Sequence, residues 1–62
     1  MNTFRYIVES IDGDYAHLRI LDEVTGEPGE ELKLVARALL PAEITEGCRL
    51  LYEWMQYSIE LD

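Results

Sequence analysis

The one nucleophile–base pair of the Cys–His type available to this chain is Cys48 with His17, its single cysteine and single histidine. A catalytic thiol works as its thiolate, which a nearby base, a cation or a helix N-terminus provides. These two residues lie in unrelated segments, the surrounding sequence is acidic, and no Gly-rich loop or oxyanion donor accompanies them. The expectation is an inert or buried Cys48 and a protein that is not an enzyme. With one cysteine there is neither an internal disulfide nor a multi-cysteine metal site.

Carboxylates are the second group that could do chemistry. Asp12 and Asp14 flank Gly13, and Asp22 or Glu23 could join them around a cation. Asp beside Gly is ordinary turn chemistry, and the oxygen-ligand spacing of an EF-hand is absent, so no metal and no cofactor is expected. A lone His17 without a second imidazole or thiolate at ligand spacing reads as a surface residue. The carboxylates have a stronger collective meaning. The ten residues Asp22–Glu31 hold five of them and no base, in a chain with thirteen Asp and Glu against five Lys and Arg and a net charge of -8. Nucleic-acid contacts need Lys and Arg to displace counterions from phosphates, so direct nucleic-acid binding is excluded, and no phosphate-cradling Gly motif supports a nucleotide. The five basic residues, Arg5, Arg19, Lys33, Arg37 and Arg49, form no patch and are expected to pair with acids across strands.

Large apolar residues supply the third constellation. Trp54 and Met55 fall where the chain is expected to turn, and both are poor turn formers. If the turn lies there, they protrude into water unless a partner covers them, with Tyr52 or Tyr57 beside them. If it lies a residue or two away, Trp54 caps the core instead. Both readings remain open on sequence alone.

The elements that must position these groups are short. The segment from Phe4 to Ile11 is rich in aromatic and β-branched residues and stops at Asp12-Gly13-Asp14, a hairpin signal. From Tyr15 to Leu21 the pattern alternates, with Ala16, Leu18 and Ile20 on the inner face and Tyr15, His17 and Arg19 on the other. The acidic stretch with Gly26, Pro28 and Gly29 reads as a solvated loop. Glu30 to Ala36 is expected as a strand with Leu32 and Leu34 inward and Glu31 and Lys33 outward, running into a short helical or 3₁₀ turn at Ala38 to Leu40, where Pro41 disfavours αR at Leu40. After a turn at Glu46-Gly47, the segments Arg49 to Trp54 and Tyr57 to Leu61 form a closing hairpin with Tyr57, Ile59 and Leu61 inward. The alternative for Leu50, Leu51, Trp54 and Met55 is one face of a helix. Five short strands in one domain predict an all-β, SH3-like or OB-like small barrel or strongly curled sheet, because closure removes exposed edges.

Three pieces of this order resemble a known family: Ile11-Asp12-Gly13-Asp14-Tyr15-Ala16 with Leu18, then Leu39-Leu40-Pro41, then Glu46-Gly47 with Leu50. The resemblance is to the small bacterial family called domain of unknown function 3006, whose members read as an Ile-Glu-Gly-Asp-x-Ala hairpin, then Leu-Pro, then Glu-Gly-Asp. It covers the chain from about Ile7 to Ile59. It implies a compact β domain in a bacterium and carries no catalytic residues. Cys48 stands where the family usually has an acid, and Trp54-Met55-Gln56 stands where it tends to have an acidic-Gly turn.

A chain of 62 residues buries only about 60% of its unfolded surface, and eight uncompensated negative charges repel one another in the compact state. Stability is therefore expected to be marginal and to rise with salt or with pairing. No apolar run approaches the length of a bilayer span, an acidic surface is repelled by anionic headgroups, and the start lacks signal-peptide order, so no membrane role and a cytoplasmic location are expected. The functional expectation is a protein-interaction module. Asp22, Glu23, Glu27, Glu30 and Glu31 steer a partner with a basic surface, while Trp54, Met55, Tyr52 and Tyr57 supply apolar contact. The partner is another protein or a second copy meeting through the last hairpin. The alternative is an acidic nucleic-acid mimic that occupies a DNA- or RNA-binding protein.

Overall fold

The computed structural model describes residues 3–60. Five antiparallel strands form one curled half-barrel: β1 (Phe4–Asp12), β2 (Tyr15–Ile20), β3 (Lys33–Ala36), β4 (Arg49–Glu53) and β5 (Gln56–Ile59), with a single 3₁₀ turn at Arg37–Leu39. Their order in the sheet is β3-β2-β1-β4-β5. The sequence expectation of an all-β small barrel or curled sheet with one 3₁₀ turn holds, and the helical alternative for Leu50 to Met55 does not. Ring closure is incomplete, since β3 and β5 are left as two edges facing a seam.

Inward residues along β1, β2 and β4 build the core. Val8, Leu18 and Leu50 are fully buried, and Tyr6, Ala16 and Val35 join them from the strands. Each large apolar side chain so buried contributes about 1.5–3 kcal/mol. Leu40 and Ile44, from the connection between β3 and β4, join the core at the end of the sheet that holds the β1–β2 turn. The 3₁₀ turn ends as Pro41 requires, with Leu40 extended at φ -115 and ψ 158 and its N–H donating to the Arg37 carbonyl at 3.0 Å.

Pairing registers explain why some facing expectations fail. Ala16 lies opposite Val35 and Leu18 opposite Lys33, and directly opposed residues share a face. Val35 and Lys33 therefore face inward, and Leu34 faces outward. The expectation of Leu32 and Leu34 inward with Lys33 outward is corrected: Leu32 and Leu34 are 48% and 58% exposed, and Val35 only 6%. A slip of one residue inverts a whole strand, and here two leucines precede the β-branched residue that the core uses. Ile20 keeps the inner face but sits at the open rim at 43% exposure, while Leu21, just past the strand, is buried. The expected inward Leu61 lies outside the described residues; Tyr57 and Ile59 pack against the core as anticipated.

A bulge bends β1. Val8 pairs with Leu18 and Ser10 with His17, which leaves Glu9 as the extra residue and strengthens local twist. Because every neighbouring pair is antiparallel, the connections alternate between the two ends of the sheet. The β1–β2 turn and the β3–β4 connection share one end. The acidic β2–β3 connection and the β4–β5 turn share the other.

Candidate protein-interaction surface

The β4–β5 hairpin has two residues in its turn, Trp54 and Met55, between the paired Glu53 and Gln56. Both have positive φ, 54° and 62°. That is the backbone of a type I′ turn, which suits the twist of the strands and is ordinarily filled by Asn-Gly because a Cβ is disfavoured there. Trp54 is 71% exposed and Met55 88% exposed, so the turn falls on them and the alternative in which Trp54 caps the core is excluded. Each is strained in backbone and unburied in side chain, and neither contributes to the fold in the way its type allows.

Below the turn, Tyr52 and Tyr57 face each other across β4 and β5 with ring centroids 4.6 Å apart, and Tyr6 lies 5.8 Å from Tyr57. Lys33 reaches over all three rings from β3, its Nζ 5.3 Å from the Tyr6 centroid, 5.7 Å from that of Tyr52 and 5.8 Å from that of Tyr57. Interaction with the Tyr57 hydroxyl holds the Lys33 ammonium above its ordinary range, outweighing the partial burial that opposes it. This cation–π contact spans the seam where no backbone pairing does. Lys33 was expected to pair with an acid on the outer face. The described residues show ion pairs of basic side chains only for Arg5 with Glu60, at 2.7 Å, and Arg19 with Glu9, across the bulge.

The acidic connection is exposed from Asp22 to Pro28, as expected of a solvated loop, but it is internally bonded. Asp22 Oδ1 accepts from the N–H groups of Val24 and Thr25 at 2.7 and 3.0 Å, the Asp22 carbonyl accepts from Gly26, and the Glu27 carbonyl accepts from Asp22. Gly26, at φ 76°, completes the turn. These backbone donors, Thr25 first, hold the Asp22 carboxyl below its usual range. Arg19 Nη1 donates to the carbonyls of Gly29 and Glu30 and fastens the far side of the loop to β2. Asp22 is thus occupied in shaping the loop, and Glu23, Glu27, Glu30 and Glu31 present exposed carboxylates at the same end of the sheet as Trp54 and Met55.

The remaining candidates are kept apart. Nδ1 of His17 lies 3.2 Å from Ser10 Oγ beside the bulge, Cys48 packs partly buried against the core with Sγ directed at the Arg49 carbonyl, and no hydrogen bond joins the two. Asp12 closes β1 and Asp14 accepts from the Arg37 N–H through its carbonyl. Among the described residues no group of three or more His, Cys, Asp or Glu is placed to hold a metal ion, and no helix is long and apolar enough to cross a membrane. Sequence reasoning missed Lys33 and Tyr6 as site residues. Putting Val35 rather than Leu34 in the core would have turned Lys33 toward the rings. Compared with known proteins, the chain matches no family model, no curated protein and no solved structure, so its surface is read from its own geometry.

Proposed function

We propose that this chain is a non-enzymatic, cytoplasmic protein-interaction module whose contact centres on Trp54 and Met55, with Tyr52 and Tyr57 behind them. The observation that carries the reading is the turn itself. Two large apolar residues occupy backbone positions that cost about 1 kcal/mol or more each for a residue with a Cβ, and neither is buried in return. Folding stability does not favour Trp-Met there, whereas binding does: Trp is enriched among interface hot spots, and Met adapts to irregular surfaces. Glu23, Glu27, Glu30 and Glu31, at the same end, attract a basic partner surface over roughly the 8 Å Debye length of physiological salt. Self-association through the hairpin is one version of this contact.

The resemblance to domain of unknown function 3006 belongs to the same proposal. It is supported by the roles of the matching residues: Gly13 and Gly47 take positive φ in turns, and Ala16, Leu18, Leu40 and Leu50 are buried. The nucleic-acid mimic draws less support, since Glu9 and Glu60 are paired to arginines and Asp22 to backbone.

Capture from a bacterial extract, at low and high salt, with wild type and with the double variant Trp54→Asn/Met55→Gly, tests the reading. A protein retained by wild type in high salt and lost with the variant is the expected result. Equal capture by both, abolished by salt, would overturn it in favour of charge alone. Trp54 emission across a dilution series separates the self-associating version, in which red emission turns blue as protein is added and stays blue in salt.

A further inference from the structure

The half-barrel leaves β3 and β5 as open edges, and a groove of about 340 Å³ runs between them. Val35 and Leu39 line one bank, Tyr52, Met55 and Tyr57 the other, and Lys33 reaches across. Each edge strand is four residues long, so each carries a short row of backbone groups without a ladder partner on the seam side. Short edges and an edge lysine are common defences against indiscriminate strand pairing. What is unusual is the position of that lysine, with its ammonium shared by three tyrosine rings. Tyr52 and Tyr57 turn this cation site toward the groove, with Tyr6 buried behind it, and the chain's own side chain fills it.

Charge decides what else fits. A second copy brings another net charge of -8 to an end already bearing Glu30 and Glu31, which directly precede Leu32 and β3. An extended segment that carries basic and apolar residues at successive positions of one face, two residues apart, brings the opposite sign to this acidic molecule and matches the shared inward facing of Lys33 and Val35. Its backbone pairs with the edges, its apolar side chains lie along Val35 and Leu39, and a basic side chain enters the space over the rings. We infer that the seam between β3 and β5 receives a basic, extended segment of a partner protein as an added strand, its cation taking the tyrosine site that Lys33 otherwise occupies. The inference rests on the interaction-module reading and adds to it the place and chemistry of the peptide.

A short blocked peptide with lysine and valine at successive positions of one face, separated by threonines, added to isotopically labelled protein, tests it by NMR and hydrogen exchange. The expected result is slowed amide exchange in Lys33–Ala36 and Gln56–Ile59, with upfield shifts of the peptide's lysine methylene protons from the tyrosine rings. Lys33→Met, or Lys33→Gln should the first variant fold poorly, should tighten binding several-fold by removing the resident competitor. A glutamate–valine peptide of the same length should not bind. Shifts confined to the acidic loop and erased by salt overturn the inference, as does an absence of binding. Shifts confined to Trp54 and Met55 also overturn it while leaving the interaction module standing. Conversely, edge protection by the peptide together with Trp54-independent capture would remove Trp54 and Met55 as the centre of contact and keep both the interaction module and the seam.

Discussion

At the scale of single residues, Asp22 and the Trp54–Met55 pair show side chains used in opposite ways. Asp22 is fully exposed, yet its carboxylate closes a turn by accepting two backbone N–H groups, and its pKa lies below the ordinary Asp value of about 3.9. A group whose folded pKa is depressed gives stability that is present above the unfolded value and lost as pH falls through the folded one. The stability difference between wild type and Asp22→Ala should therefore be constant near neutrality and shrink below about pH 4, and an NMR titration of the Asp22 carboxyl should show a midpoint below the ordinary value. A midpoint at or above that value would mean that the turn does not depend on the charge. Asp22 was legible in the sequence as a turn former and an acid, but not as one already engaged. Trp54 and Met55 were legible as misfits for a turn. Whether the turn fell on them depended on the register of β4 with β5, which local sequence does not fix.

Among the elements, β2 was the easiest to read and β3 the hardest, for the same physical reason. Strand β2 has a long alternation in which only one face is apolar, whereas the β3 region offers Leu32, Leu34 and Val35, so two opposite facings both bury an apolar residue. The choice is made by pairing with β2, which sets Val35 beside Ala16. Burying a threonine hydroxyl without a partner costs about 1–3 kcal/mol, so Val35→Thr should destabilise by that order and Leu34→Thr by less than about 0.5 kcal/mol. Equal or reversed costs in denaturant titration would contradict the register. Pro41 acted as expected: it stopped the 3₁₀ turn and released Leu40 into the core. The bulge at Glu9 left no signal in the sequence, because it lies in the pairing itself, where the stretch of β1 from Tyr6 to Asp12 fits one residue more than β2 offers from Tyr15 to Ile20.

For the whole molecule, a small core, an open seam and a net charge of -8 act together. Stability for a chain this size is of the order of 3–9 kcal/mol at 0.05–0.15 kcal/mol per residue, so self-repulsion and two strained turn residues are a sizeable fraction of it. Added salt should raise the unfolding midpoint by screening the acidic surface, even though it also weakens the Arg5–Glu60 and Arg19–Glu9 pairs, because exposed pairs contribute little. A midpoint that falls with salt would assign more of the stability to those pairs. The central claim is that the β4–β5 turn is shaped for contact at the expense of folding. Equilibrium denaturant unfolding of wild type and Trp54→Asn/Met55→Gly, at high salt and low protein concentration, tests it most directly. The account predicts that the variant is the more stable by about 1–2 kcal/mol with an unchanged m-value, because Asn-Gly relieves the positive-φ strain and no buried surface is lost. A variant less stable than wild type would mean that Trp54 and Met55 serve the fold, and would contradict the claim.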